Sequence, residues 1–133
     1  MNVHAACQQR PKILLVEDEM PVREMLSRVL CRQGYELVVA ANGAEAVALR
    51  DEDVSTIDLL ISDLIMPGAN GADVARSLRQ RVPHLSVLFM SGCGDHPVLH
   101  RVLSGGETFI GKPFSLAQFK QVVDRALIGQ AES

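Results

Sequence analysis

Four short apolar runs in this chain end in residues able to do chemistry. ILLV (13–16) is followed by Glu17, Asp18 and Glu19, and IDLLIS (57–62) by Asp63. VLFM (87–90) leads to Ser91, and TFI (108–110) leads through Gly111 to Lys112. If the runs are neighbouring parallel strands, acids, a hydroxyl and an ammonium converge on one sheet edge. Carboxylates at adjacent strand ends repel unless a cation sits among them. Hard oxygen ligands with open positions suit Mg2+ rather than zinc. Lys112 would balance an anion, and Ser91 would donate a hydrogen bond to it. Such a set, with a carboxylate to spare, is suited to phosphoryl transfer onto that carboxylate. Glu19 is also accounted for by its place at a helix start, where acids are favoured.

The elements that must position these residues alternate regularly. Short, mostly apolar runs of three to six residues are expected of strands buried on both faces. LVVA (37–40) adds a fifth run. Between the strands, apolar residues recur at helical spacing. Pro21 starts a first helix with Val22, Met25, Leu26, Val29 and Leu30, stopped at Gly34. Asn42 and Glu45 cap a second, continued by Ala46, Val47 and Leu49. After a loop from Pro67 to Gly71, Val74, Ala75 and Leu78 mark a third, closed before Pro83. Pro97 opens a fourth with Val98, Leu99, Val102 and Leu103, ended by Gly105 and Gly106. Ser115 and Gln118 cap a fifth, with Leu116, Phe119, Val122, Val123, Ala126 and Leu127 inward and Gly129 as its end. Five strands alternating with five helices predict an α/β fold, doubly wound around a parallel sheet. The flavodoxin-like order 2-1-3-4-5 is expected, with ligands outside the carboxyl ends of strands one and three. The expected organisation is a flexible tail over 1–11, one domain over 12–128 and a short tail over 129–133.

The wording of these segments resembles the receiver domain of bacterial two-component response regulators. ILLVEDE (13–19), DLLISDLIMPGANG (58–71), VLFMSG (87–92) and FIGKPFS (109–115) carry the likeness. Each is weak alone, but all four occur in order and at the right strand ends. The chain is also similar to receivers attached to hybrid histidine kinases. The resemblance implies that Asp63 accepts a phosphoryl group from phosphohistidine. The donor would be a sensor histidine kinase or a histidine phosphotransfer protein. It implies Mg2+ held by Glu17, Asp18, Asp63 and the backbone carbonyl of Ile65, with Glu17 acting through water. Ser91 and Lys112 would hold the phosphoryl group. Ser91 and Phe109 would form a switch that alters the surface of the fourth helix, fifth strand and fifth helix. A cis bond before Pro113, and a homodimer on phosphorylation, are further implications. Phe109 lacks a tyrosine hydroxyl, so its switching would be steric. Ile65 is apolar and cannot position a hydrolytic water, which implies slow self-dephosphorylation.

Other function classes are excluded or remain as alternatives. The 133 residues suit one domain, and a chain of this size buries roughly two-thirds of its unfolded surface. At 47% hydrophobic and 22% charged, the composition is globular. A net charge of -3 lacks the positive field that nucleic acid or an anionic membrane requires. No apolar run approaches the roughly 18 residues of a membrane span, and no secretory signal is evident. Three separated cysteines, Cys7, Cys31 and Cys93, fit neither a disulfide framework nor a zinc site and point to a cytoplasmic location. GETFIGK (106–112) imitates a phosphate-binding loop, but Pro113 stands where that loop needs Ser or Thr. His84, His96 and His100 read as surface residues. One alternative is a pseudo-receiver, a constitutive protein-binding module without labelling of Asp63. Another is a metal-dependent phosphohydrolase, weakened because Ile65 stands where a DxD motif needs its second acid.

Overall fold

The structure, a computed structural model, describes residues 10–92 and 107–132. Strand β1 (Lys12–Val16), helix α1 (Met20–Arg32) and strand β2 (Glu36–Ala40) come first. Two short helices follow, α2 (Gly43–Val47) and α3 (Asp51–Val54). Then come β3 (Leu59–Asp63), the two-residue strands β4 (Ile65–Met66) and β5 (Ala69–Asn70), and α4 (Gly71–Arg79). The chain continues through β6 (Ser86–Ser91), β7 (Thr108–Gly111) and α5 (Leu116–Glu132).

The five longer strands form one parallel sheet in the order β2-β1-β3-β6-β7. Counting those strands alone, this is the expected 2-1-3-4-5. Strand β3 is buried at every residue because helices cover both faces. The strand alternation divides the core in two. Leu14, Val16, Leu60, Val87 and Phe89 face one way and meet Val74, Ala75 and Leu78 of α4. Ile13, Leu15, Leu59, Ile61, Leu88 and Met90 face the other and meet Leu26, Val29 and Leu30 of α1 with Phe119 and Val123 of α5. The chain therefore leaves β1 and β3 toward opposite faces, which opens a crevice at their carboxyl ends.

The caps form as their residue types require. Asn42 accepts a hydrogen bond from the Glu45 amide at 2.8 Å, and Glu45 reaches back to the Ala41 amide at 2.8 Å. At α5, Ser115 Oγ accepts from the Gln118 amide and Gln118 Oε1 from the Ser115 amide, a reciprocal capping box.

Several expectations need correction. The second helix is broken into α2 and α3, with Arg50 extended between them. Arg81 stabilises the break from 30 residues away. Its guanidinium donates to the carbonyls of Val47 and Leu49 and to Asp51 Oδ1. Those carbonyls therefore need no helical partner. The loop from Pro67 to Gly71 contains a small hairpin, β4 against β5. Gly68 takes φ +75° after Pro67, the pairing a type II turn favours. Helix α5 does not stop at Gly129 but runs on to Glu132. One internal glycine costs about 1 kcal/mol relative to alanine, and Gln, Ala and Glu follow it as good helix formers. Pro11, placed in the N-terminal tail, accepts a hydrogen bond from the Glu36 amide at 3.0 Å. Cys31 is exposed on α1. The fourth helix from Pro97, along with Cys7, Cys93, His96 and His100, lies outside the described residues.

Candidate functional site

Strand register brings the polar residues together. Val16 pairs with Ser62, so Glu17 and Asp63 follow side by side. Asp63 pairs with Met90, one residue before Ser91, and Ser91 pairs with Gly111, one residue before Lys112. The Lys112 ammonium lies 2.5 Å from Asp63 Oδ1 and 4.0 Å from Glu17 Oε1. Carboxylate oxygens of Glu17, Asp18 and Asp63 lie within 4.8 Å of one another. Glu17 and Asp63 are buried, whereas Asp18 is exposed.

The ammonium is aimed by its backbone. The Lys112 amide donates to the Ser91 carbonyl at 2.7 Å, and the Lys112–Pro113 peptide is cis. Phe114, just beyond, stacks on the buried Phe119 with ring centroids 5.6 Å apart. The loop carrying Lys112 is thus fastened to the core on the α5 side.

Burial and the neighbouring Asp63 carboxylate push Glu17 up to about 8, although the Glu19 amide and the Lys112 charge pull the other way. Glu17 Oε2 accepts from the Glu19 amide at 3.2 Å, but the buried Oε1 has no hydrogen-bond partner. Burial acts to lower the Lys112 pKa, but the bond to Asp63 and the charges of Asp63, Glu17 and Glu19 outweigh it and lift it above 10.5. Lys112 is therefore a cation at neutral pH. Three converging carboxyl groups, one with an orphaned buried oxygen, fit a hard divalent cation. One ammonium alone cannot balance all of them once they are ionised.

Ile65 sits at the rim, its side chain half-exposed. Phe109 packs beside Phe89, with ring centroids 5.6 Å apart and planes inclined at 33°. It packs against the core layer under α4.

Two supporting residues escape sequence reasoning. Gly71 opens α4 directly against the end of β3, at Asp63. A Cβ there would stand 2.2 Å from the Asp63 carbonyl oxygen and 3.2 Å from Leu64 Cα. The Gly71 amide donates to the Leu64 carbonyl at 2.7 Å. The available signal is a glycine directly after an N-capping asparagine, Asn70, which accepts from the Asp73 amide. The second is Arg23 of α1, whose Nη1 donates to the Glu17 carbonyl at 2.8 Å.

Comparison with known proteins identifies relatives of this chain. The family described as response regulator receiver domain matches residues 13–124. The chain is 34% identical over 116 residues to the sensor kinase CckA of Brucella abortus, covering 86% of this chain and 12% of that protein. It is 39% identical over 121 residues to the response regulator protein FleR of Pseudomonas aeruginosa, covering 90% and 25%. The chain thus spans a quarter or less of the length of these two relatives. Among solved structures, the receiver domain of a hybrid histidine kinase CckA superposes with a TM-score of 0.73 at 36% identity, covering 87% of this chain and 98% of that one.

Proposed function

This chain belongs to the response regulator receiver domain family, and we propose that it is the phospho-accepting module of a two-component phosphorelay, with Asp63 as acceptor. One observation carries the reading: the buried Asp63 carboxylate lies against the Lys112 ammonium, within a cluster completed by Glu17 and Asp18. A binding module has no need of that set.

A phosphohistidine on a kinase or phosphotransfer protein is the donor. An Asp63 carboxylate oxygen bonds to phosphorus while the N–P bond breaks, and the electron pair leaves with the imidazole nitrogen. Lys112 already touches the acceptor and takes up the charge of the phosphoryl oxygens, joined by the Ser91 hydroxyl. Asp18, Asp63, the Ile65 carbonyl and, through water, Glu17 would hold Mg2+, which when bound offsets that same charge. Ser91, drawn toward the phosphoryl group, makes room beside Phe109. The aromatic ring then turns inward and changes the surface around β7. The phosphoryl group shifts this equilibrium only by its differential stabilisation of the two states.

Incubation with acetyl phosphate and Mg2+ is expected to add one phosphoryl group by intact mass. The adduct is absent with EDTA present from the start and absent in Asp63→Asn. A wild-type protein that gains no mass and also fails to bind beryllofluoride would support the pseudo-receiver instead.

The lifetime of the adduct gives a second prediction. The half-exposed Ile65 side chain offers no polar atom to orient an attacking water. Ile65→Asn is expected to shorten the lifetime several-fold, read from the decay of the phosphorylated mass. An unchanged decay would remove Ile65 from control of hydrolysis.

A further inference from the structure

The turn that carries Glu17 and Asp18 has little of its own to hold it. The Glu17 amide donates to the Ala40 carbonyl of β2 at 3.2 Å, and the β1–β3 ladder ends just before, at Val16 and Ser62. Glu19, at the N-cap of α1, makes no side-chain capping bond, and no acid follows in the first turn of that helix. Two side-chain contacts close the turn. One is local, from the Glu19 amide to Glu17 Oε2. The other comes from Arg23, one turn into α1, whose Nη1 meets the Glu17 carbonyl at 2.8 Å. That contact is charge-assisted and points at the peptide joining the two acids. Arg23 is itself fixed, because its amide donates to the Glu19 carbonyl and its carbonyl accepts from Ser27 Oγ at 2.7 Å.

We infer that Arg23 is a positioning residue for the carboxylate cluster, its guanidinium holding the Glu17–Asp18 peptide so that both side chains face Asp63. The inference rests on the reading of this cluster as a Mg2+ site. It differs from a purely electrostatic role in the sign of its consequence. A cation near the acids repels a dication, so deleting the charge alone would tighten Mg2+ binding. Deleting the tether frees the peptide, and the ordering of the turn must then be met from the binding energy of the ion, which weakens binding.

The test is Mg2+ titration of the wild type and Arg23→Met by calorimetry, with a thermal melt in EDTA to establish that each is folded. Arg23→Met is expected to bind Mg2+ about tenfold more weakly than wild type. Arg23→Gln, neutral and polar, carries the same expectation should the methionine variant fail to fold. A folded variant that binds Mg2+ as tightly as wild type, or more tightly, overturns the positioning role. A wild-type protein that takes no Mg2+ overturns the reading of the site, and the inference with it.

Discussion

Gly71→Ala is expected to lower the stability of this domain by about 1–3 kcal/mol and to slow phosphorylation of Asp63 in the fraction that remains folded. The new methyl would lie 2.2 Å from the Asp63 carbonyl oxygen and 3.2 Å from both Asp63 C and Leu64 Cα. All three obstacles are backbone atoms, so no rotamer change relieves them. Either α4 moves away from β3, opening the core around Val74, Ala75 and Leu78, or the end of β3 shifts and carries the acceptor away from Lys112. Urea unfolding gives the first quantity as a lowered midpoint at unchanged slope. The rate of mass gain with acetyl phosphate gives the second. Gly111→Ala is the internal control, since it adds a methyl where nothing stands within 4 Å. It is expected to change stability by less than about 1 kcal/mol, since alanine loses less freedom than glycine on folding. Equal effects at the two positions would show that crowding against β3 is not what excludes alanine at 71.

The contrast between those glycines shows which information was local. The five strands of the parallel sheet were legible because each is a short, mostly apolar run, a property of adjacent residues, whereas the two-residue strands β4 and β5 fell in what reads as a loop. The acids and Lys112 were legible for a related reason: parallel strands align their carboxyl ends, so residues 17, 63 and 112 meet although far apart in sequence, and Ser91 ends its strand at the same edge. Asn42, Ser115 and Gln118 were readable as caps because their partners lie three residues away or fewer. The broken second helix was not, because Arg81, just beyond the end of α4, holds it open. Gly71 and Arg23 were missed for the same reason. Each acts on a backbone carbonyl, and no side-chain pattern records where a carbonyl will point. Gly129 misled in the opposite direction, as a local stop signal overridden by the helix formers after it.

The buried Glu17 supplies the other large effect, a dependence of stability on pH in the metal-free protein. Burial and Asp63 raise its pKa from 4.5 in the unfolded chain to about 8 when folded. A raised carboxyl pKa means that the folded state holds the proton more tightly. Its contribution is full below pH 4.5 and is lost as pH rises through 8. Between those values unfolding releases a proton, so stability falls with rising pH. Glu17→Gln keeps the shape and has no proton to lose. Measured by urea unfolding in EDTA, the variant is expected to gain roughly 2–4 kcal/mol on the wild type between pH 5 and pH 9. Mg2+ is expected to reverse the ranking, because the ionised Glu17 that burdens the metal-free protein is the form that favours a dication. Saturating Mg2+ is therefore expected to flatten the pH slope of the wild type and to stabilise it more than the glutamine variant. If the two proteins keep parallel pH profiles in EDTA, Glu17 does not titrate in this range and the buried carboxyl is ionised throughout. Parallel profiles in EDTA together with equal stabilisation by Mg2+ would place the ion elsewhere than beside Glu17. The two conditions thus separate what burial does to this acid from what the site requires of it.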